Sequence, residues 1–378
     1  MAVIKTLGAA LLAAAALVSP ASAKGLVDCP MRDAPFSTSS PLIDVLLSPA
    51  ASAVLEHQIP GLTSKLPAGL MGTTPPSFAA ILTPREVAGF LRQPALDLPR
   101  MARELAALPV TQADKIARCA RYDTAPPRLT IPPSNGRPRV LLFEKINGFK
   151  DTPSVNAAHA AFEAMAQRKG WTLVTTDKGS AFSPAILRQF DAVIWNNISG
   201  DVLTLSQRAA FKTWMENGGG FVGIHGSAGD PVYFWDWYVD SLLGARFLAH
   251  PMSPQFQTAR VYISDDSHPV AAGLPASWES SEEWYSFKNN PRATGSRIIA
   301  TLDESTYKPE GMGGMNLRMG ADHPIAWSRC IGQGSRAGKM FYSAIGHRPE
   351  RYADAQYVQM LEQAVAWVAG PGACQPAK

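Results

Sequence analysis

Two histidines follow apolar runs of the kind that form buried strands. His225 comes directly after Gly220–Ile224, in a Gly-Ile-His-Gly turn, and His347 comes after residues 340–345. Imidazole titrates near neutral pH and also binds metal ions, so histidines at strand ends favour acid–base or metal-assisted chemistry. The turn at His225 has the strand-to-helix form of a nucleophile elbow, but its central residue is neither serine nor cysteine. We therefore expect a base or a metal ligand there, not an acyl acceptor.

The chain between these two histidines holds two more candidates, His250 and Glu283. His250 lies in an Ala-His-Pro segment, which is also typical of a rigid turn, and Glu283 precedes Trp284 and Tyr285. Burial against those rings would raise the pKa of the Glu283 carboxyl group and suit it to proton transfer. A salt-bridging or helix-capping carboxylate is the structural alternative. The predicted catalytic residues are His225, His250, Glu283 and His347. The predicted ligands of a divalent metal ion such as Zn²⁺ are His225, His250 and His347.

Polar and aromatic residues near other predicted strand ends are candidates for substrate binding. These residues are Lys145, Asn196, Trp284, Tyr285, Asp322 and His323. Asp322 stands directly before His323, and a carboxylate in that place would orient the imidazole ring. Two other histidines fit structural roles. His268 lies in a turn-like segment after two aspartates, and His159 lies within a predicted helix.

Short apolar runs alternate with helical patterns from residue 139 onward. The predicted strands are 140–143, 171–176, 192–195, 220–224, 325–329 and 340–345, and the predicted helices are 154–169, 184–188 and 204–216. This alternation predicts βαβ crossovers and an α/β fold with a parallel sheet. Ligands of such sheets bind beyond the carboxyl ends of the strands. We therefore expect the predicted catalytic residues to converge at one edge of the sheet.

The first 136 residues predict export and a separate helical segment. Residues 1–23 combine a positively charged start, a short apolar run and small residues before a cleavage point, which is typical of a cleaved signal peptide. The apolar run is too short for a membrane anchor, because a span needs about 20 apolar residues. Residues 24–136 are rich in proline and carry short helical patterns. We expect a small helical arm and linker there, followed by an α/β domain over residues 137–378.

Charge and cysteine content narrow the class of protein further. The chain has a formal net charge of +4 and no run of lysine and arginine, so nucleic-acid binding is not predicted. Four cysteines in an exported chain favour two disulfides, and none has the spacing of a metal-binding knuckle. We expect the pairs Cys29–Cys119 and Cys330–Cys374 and a periplasmic or secreted location. The oligomeric state is left open.

Seven segments of the α/β region carry the motifs of one known family, in the order in which the family has them. These segments are 218–226, 243–251, 267–269, 283–287, 302–307, 319–327 and 346–347. On these motifs, residues 139–370 resemble ThuA-like (trehalose utilisation) domains. The resemblance implies a flavodoxin-like, class I glutamine amidotransferase-like fold, in which helices flank a parallel sheet. It also implies a small-molecule carbohydrate as the binding partner, because ThuA-like proteins are associated with the breakdown of trehalose and related disaccharides.

Two positions separate this chain from relatives of that fold. The turn at His225 holds no cysteine, so amidotransferase chemistry is not expected. Asp151 stands where ThuA-like domains often carry a histidine after the first strand. A carboxylate at that position could still bind a metal ion or accept a proton.

Two classes of function fit these observations. The first is a carbohydrate-processing enzyme of lyase or hydrolase type, which acts on a disaccharide or keto-sugar glycoside by histidine and carboxylate chemistry. The second is a non-catalytic carbohydrate-binding or accessory protein. Its sugar-stacking residues would be Trp235, Trp237, Tyr238, Trp284 and Tyr285. Converging titratable groups would favour the enzyme, because binding alone needs only aromatic and amide groups.

Overall fold

The computed structural model describes residues 26–90, 97–133 and 135–376. The predicted signal peptide, residues 1–23, lies outside the described residues. Within them the α-helices are α1 (Leu42–Leu46), α2 (Pro49–Gln58), α3 (Leu62–Lys65), α4 (Ala68–Met71), α5 (Pro84–Phe90), α6 (Leu98–Ala106), α7 (Gln112–Cys119), α8 (Thr152–Lys169), α9 (Pro184–Leu187), α10 (Leu205–Glu216) and α11 (Ala355–Ala369). The strands are β1 (Arg139–Phe143), β2 (Thr172–Thr176), β3 (Ala192–Trp195), β4 (Gly220–Ile224), β5 (Phe247–Ala249), β6 (Gln257–Ile263), β7 (Ser277–Glu282), β8 (Ser286–Phe287), β9 (Arg297–Leu302), β10 (Pro324–Ile331) and β11 (Gly338–Ser343).

The central sheet of the described chain has the strand order β2-β1-β3-β4-β11-β10-β9-β6-β7. Strands β2, β1, β3, β4 and β11 run parallel to one another, which confirms the predicted α/β fold. The predicted strand at 325–329 is part of β10, but it pairs antiparallel with β11. Only six residues join β10 to β11, too few for the crossover that parallel neighbours need. The sheet is therefore mixed, with a parallel half and an antiparallel half.

The antiparallel half brings a distant strand end back to the edge that the parallel strands share. Strands β10, β9, β6 and β7 alternate in direction. The carboxyl end of β7 therefore points toward the same edge as those of β4 and β11. Only Val261–Ile263 of β6 pair with β9, so the start of β6 and the end of β7 extend beyond β9 as a two-stranded ribbon. Arg348 and Arg351 donate hydrogen bonds from beyond β11 to serines of this ribbon.

Helix α8 connects the sheet to the loop after β11. The helix begins two residues before the predicted start, with Asp151 as its N-cap residue, and ends at Gly170, whose φ of 69° is left-handed. Ser154, the first residue of the predicted helix, lies in the first turn of α8. Its hydroxyl lies within hydrogen-bonding distance of the Asp151 carboxylate and of the backbone carbonyl of His347, and its single proton is shared between them.

The arm, described over residues 26–90 and 97–133, forms a small helical unit with its own apolar core. That core includes Phe36, Leu42, Leu55, Met101 and Leu105, all nearly inaccessible to solvent. Both predicted disulfides are present: Cys29–Cys119 closes the arm, and Cys330–Cys374 joins β10 to the C-terminal segment. Among the described residues, no helix combines the length and the apolar character needed to cross a bilayer.

Candidate active site at the carboxyl edge of the sheet

His225 occupies a strained backbone position directly after β4. Its φ of 33° is left-handed, a conformation that costs a non-glycine residue energy and is found most often at functional sites. Its Nδ1 atom lies 2.7 Å from the backbone oxygen of Ala344. A carbonyl oxygen only accepts, so Nδ1 carries a proton and donates it to Ala344, and Nε2 is the ring atom that faces Glu283 and His347. The Tyr342 hydroxyl donates to the backbone oxygen of His225 at 2.8 Å and holds the turn in place.

His347 is held by a buried carboxylate that the sequence analysis did not single out. Glu282 is inaccessible to solvent, and it accepts hydrogen bonds from the backbone N–H groups of Gly346 at 2.9 Å and Arg348 at 3.2 Å. These bonds fix the backbone on both sides of His347. Burial raises the pKa of Glu282 above its ordinary value, although His225 and the backbone N–H groups oppose that effect. Glu282 is therefore a positioning residue for His347.

Glu283 joins the two imidazoles. Its Oε2 atom lies 3.3 Å from Nε2 of His225 and 3.0 Å from Nδ1 of His347. The side chain is 3% exposed, and this burial alone would raise the pKa of the carboxyl group. The contacts with His225 and His347 nevertheless hold the pKa of Glu283 well below its ordinary value. The expected rise in the pKa of Glu283 is therefore wrong, because imidazoles face the carboxylate and outweigh its burial.

The same contacts act on His347 in the opposite direction. Burial disfavours the imidazolium, but the hydrogen bond to Glu283 and the nearby charges of Glu282 and Asp151 raise the pKa of His347 above its ordinary value. Its Nε2 atom lies 3.5 Å from Oδ2 of Asp151. Asp151 thus lies beside the site and faces one of its histidines.

His250 lies at the rim of the site. The short ladder of β5 with β8 brings the residue after β5 close to the residue three before β8. As a result, Nδ1 of His250 lies 3.2 Å from Oε1 of Glu283, and the Gln255 amide donates to the same oxygen. Nδ1 of His250 also lies 2.9 Å from the backbone oxygen of Pro251. The His250 side chain is 23% exposed and that of Asp151 is 25% exposed, whereas those of His225 and Glu283 are almost inaccessible.

Two exposed aromatic side chains flank His347. The ring centroids of Phe149 and Phe256 lie 6.0 Å and 5.1 Å from that of His347. Phe149 belongs to the loop after β1 and Phe256 precedes β6, so the rings come from opposite ends of the sheet order. Phe78 of the arm packs on Phe149 with 5.2 Å between centroids. No local sequence pattern marks these residues, because an isolated phenylalanine carries no signal of its own.

The structure brings the four predicted catalytic residues together but leaves several predicted substrate-binding residues engaged elsewhere. Lys145 forms an ion pair with Asp123 of the arm at 2.6 Å. The Asn196 amide donates to Glu144 and to the backbone oxygen of Val155. Both residues lie at the carboxyl edge of the sheet, but their polar groups are occupied by the protein itself.

The predicted aromatic contacts are internal. Trp284 is inaccessible to solvent, and its indole N–H donates to the backbone oxygen of Gln257 at 2.7 Å. Tyr285 is 5% exposed, and its ring lies 4.1 Å from that of His225. Tyr285 therefore supports the His225 ring, and Trp284 packs in the core. The exposed aromatic side chains next to His347 are those of Phe149 and Phe256.

Asp322 and His323 take different partners from the ones that their adjacency suggested. Asp322 pairs with Arg292 at 2.8 Å. His323 is fully buried, with Nδ1 2.8 Å from Glu304 and Nε2 2.8 Å from the backbone oxygen of Tyr285. Glu304, not Asp322, orients the His323 ring. His323 supports the chain segment next to Glu283 without reaching the cluster.

The two histidines assigned structural roles have protein partners. His268 is buried rather than at a surface turn, and its Nδ1 atom accepts a hydrogen bond from the backbone N–H of Val270 at 3.1 Å. His159 lies on α8 between Glu144 and Glu163, and these two carboxylates, acting against partial burial, raise its pKa.

The sequence profile of the ThuA family, described as trehalose utilisation, matches residues 139–368. This chain belongs to the ThuA family. A ThuA-like protein from Bacteroides uniformis is 26% identical, with a TM-score of 0.52, over 63% of this chain and 94% of that protein. A ThuA-like protein from Parabacteroides merdae is 18% identical, with a TM-score of 0.44, over 63% of this chain and 92% of that protein. A comparison with curated proteins found no match.

The ThuA domain contains every member of the cluster. His225, His250, Glu283 and His347 all lie within the matched range, and so does Asp151. The arm precedes that range, although its Phe78 packs on a residue beside the site. The cluster therefore lies within the ThuA domain, and Phe78 of the arm contacts a residue that flanks it.

Proposed function

We propose that this protein is an exported carbohydrate-processing enzyme that acts on a disaccharide or keto-sugar glycoside. One observation carries the proposal. Three imidazoles and two carboxylates from separate loops meet within hydrogen-bonding or ion-pair distance at one edge of the sheet. Simple sugar binding needs no such group of titratable side chains, whereas proton transfer does. Membership of the ThuA family supports a carbohydrate as the substrate class.

The site consists of a buried centre and a partly exposed rim, which have different chemical roles. His225, Glu283 and His347 form the centre, which supplies fixed charge in a setting of little water. Asp151 and His250 form the rim, where their partly exposed side chains can meet a substrate. A rim group can take the proton from the carbon beside a ketone. The electron pair of that C–H bond then forms a C–C double bond, the glycosidic C–O bond breaks, and the departing oxygen receives a proton.

The flanking aromatic rings suit a sugar. The apolar C–H face of a pyranose packs on aromatic rings, and Phe149 and Phe256 are 38% and 39% exposed beside His347. A sugar ring between them would present its polar edge to the cluster. In this proposal the two phenylalanines take the stacking role that the sequence analysis gave to Trp284 and Tyr285.

The two disulfides support the exported location. Disulfides persist in oxidising compartments and are rare in the cytosol. All four cysteines of the chain are paired here. Together with the predicted signal peptide, this pairing favours a periplasmic or secreted enzyme.

A turnover screen tests the proposal. Purified protein is incubated with trehalose, related disaccharides and their keto forms, and products are followed by mass spectrometry. We expect one of these compounds to be cleaved, with a rate that falls at least about a hundredfold in His250→Ala or Asp151→Ala. His57→Ala, on the exposed face of α2, is the matched control and should keep the wild-type rate. A sugar that binds but is never converted would contradict the enzyme and favour a carbohydrate-binding protein.

A further inference from the structure

We infer that His225, Glu283 and His347 bind a single divalent transition-metal ion such as Zn²⁺. The inference names the cofactor of the proposed catalytic centre and relies on the proposed function only for the ion's role. It replaces His250, a ligand in the sequence-based expectation, with Glu283. Three observations carry it: the spacing of the donor atoms, the way their lone pairs are directed, and the partners that hold each ligand.

The donor atoms have the spacing of a coordination polyhedron. Nε2 of His225, Nδ1 of His347 and Oε2 of Glu283 form a triangle with sides of 3.2, 3.3 and 3.0 Å. Zinc ligands lie at about 2.0–2.1 Å in a tetrahedron, which places neighbouring ligand atoms roughly 3.3 Å apart. An ion near the centre of this triangle would therefore meet all three atoms with little movement of the protein. Two imidazoles and one carboxylate, with the fourth position open, are a ligand set of catalytic zinc sites.

The lone pairs at this triangle outnumber the protons available to separate them. The Ala344 carbonyl accepts the proton on Nδ1 of His225, so the lone pair with which the neutral ring would bind an ion lies on Nε2, at the triangle. Oε2 of Glu283 is an acceptor as well. Because Nδ1 of His225 donates to Ala344, a proton on Nδ1 of His347 is the one that can lie between these atoms. A cation at the centre satisfies all three donor atoms at once, and its binding displaces that proton.

Each proposed ligand also has the kind of outer partner that metal ligands need. His225 donates to a backbone carbonyl, and Nε2 of His347 faces the Asp151 carboxylate at 3.5 Å. Such partners fix the tautomer of a ligating histidine and orient its ring. The other carboxylate oxygen of Glu283 is occupied by Gln255 and His250, which leaves Oε2 for the ion.

His250 remains outside the coordination sphere in this arrangement. Its Nδ1 atom contacts Oε1 of Glu283 and the Pro251 carbonyl, and not the donor triangle. With the ion bound, His250 and Asp151 stay available for proton transfer. The ion itself would polarise a substrate carbonyl or activate a water molecule.

Metal binding measured without any substrate tests this inference apart from the proposed function. The full-length mature protein is stripped with a chelator and titrated with Zn²⁺, and with Mn²⁺ for comparison. We expect one Zn²⁺ per chain and a rise in melting temperature. Glu283→Gln and His347→Ala should lose both effects, and Asp151→Ala should weaken the affinity about tenfold to a hundredfold. His250→Ala should keep the stoichiometry.

A crystal of the wild-type protein soaked in Zn²⁺ keeps the test decisive if the ligand variants fail to fold. An anomalous difference peak about 2 Å from all three donor atoms is expected. A wild-type protein that binds no Zn²⁺, a peak elsewhere, or a His250→Ala variant that loses the ion would overturn the inference. A protein that cleaves its substrate after complete metal removal would overturn the metal site while leaving the proposed enzyme in place.

Discussion

Nε2 of His225 lies 3.2 Å from Nδ1 of His347, although 122 residues separate them in the chain. The two residues follow β4 and β11, which are neighbours in the parallel half of the sheet. Parallel neighbours end at the same edge, so their following loops meet there. The contact between the imidazoles is thus a direct consequence of strand order, and the carboxylates of Glu283 and Asp151 lie within ion-pair distance of these rings.

Stability should fall with acid because of the buried His268. Burial, together with the charge of Arg297, lowers the pKa of His268 from 6.5 to about 4. The unfolded chain therefore binds more protons than the folded chain between these two values. The stabilisation is complete above pH 6.5 and is lost as the pH falls toward 4, and for this residue it amounts to about 3 kcal/mol.

The variant His268→Asn isolates this contribution. Asparagine can still accept the hydrogen bond from the backbone N–H of Val270, but it carries no titratable group. Urea unfolding at several pH values should give a flatter profile for His268→Asn than for the wild type between pH 6.5 and 4. His57→Asn, at an exposed position, serves as the control and should keep the wild-type slope. Parallel profiles for wild type and His268→Asn would contradict the buried, neutral histidine.

Removal of the Glu282 carboxylate should loosen the loop that carries His347. Glu282→Ala leaves the backbone N–H groups of Gly346 and Arg348 without their acceptor. Unsatisfied buried donors are costly, so we expect a loss of about 3 kcal/mol in the free energy of unfolding. Glu279→Ala, at an exposed position of the same strand, should change stability by less than about 1 kcal/mol. Equal effects of the two substitutions in urea unfolding would argue against the positioning role.

The arm should influence substrate binding through Phe78. This side chain packs on Phe149, which flanks His347. Phe78→Ala removes an aromatic contact worth about 1 kcal/mol, so we expect KM to rise several-fold while kcat changes little. Val54→Ala, within the arm's own apolar cluster, is the comparison and should leave KM unchanged. A fall in kcat at unchanged KM for Phe78→Ala would contradict a role in binding.

The number of free thiols reports on both disulfides. The pairs Cys29–Cys119 and Cys330–Cys374 account for all four cysteines. No cysteine of the unfolded but unreduced protein should therefore react with a thiol reagent. Reduction should release four thiols. Two or more reactive thiols before reduction, in protein prepared from an oxidising compartment, would contradict the observed pairing.

The parallel half of the fold could be predicted because its strands are short apolar runs bounded by helices. In the antiparallel half only β10 was predicted as a strand, and its direction was not; β7, for example, reads Ser-Trp-Glu-Ser-Ser-Glu and has no strand-like alternation. The polar residues of β7 form hydrogen bonds with the loop after β11. These contacts join segments that are distant in the chain, so no local sequence pattern indicates them. The predicted fold class and disulfide pairs are confirmed, whereas the antiparallel extension and the role of Glu282 required the structure.

The direction of each side chain was the other unpredictable feature. Trp284 and Tyr285 stand next to Glu283 in sequence, but both rings point into the protein. Phe149 and Phe256 are open to solvent beside His347, and nothing in their local sequence distinguishes them. The direction of the pKa shift of Glu283, which is lowered rather than raised, could not be predicted for the same reason. Burial could be foreseen from its neighbours, but the approach of two imidazoles depended on the tertiary fold.

The rate of substrate cleavage by Glu283→Gln tests the central claim most directly. The substitution keeps the shape of the side chain but removes the charge that faces His225 and His347. On the keto-disaccharide or disaccharide that the wild type cleaves, we expect kcat to fall by about a thousandfold in protein shown to be folded by circular dichroism. Glu163→Gln, exposed on α8, should cleave at the wild-type rate. A folded Glu283→Gln variant that keeps more than about a tenth of the wild-type kcat would contradict the assignment of this cluster as the catalytic centre.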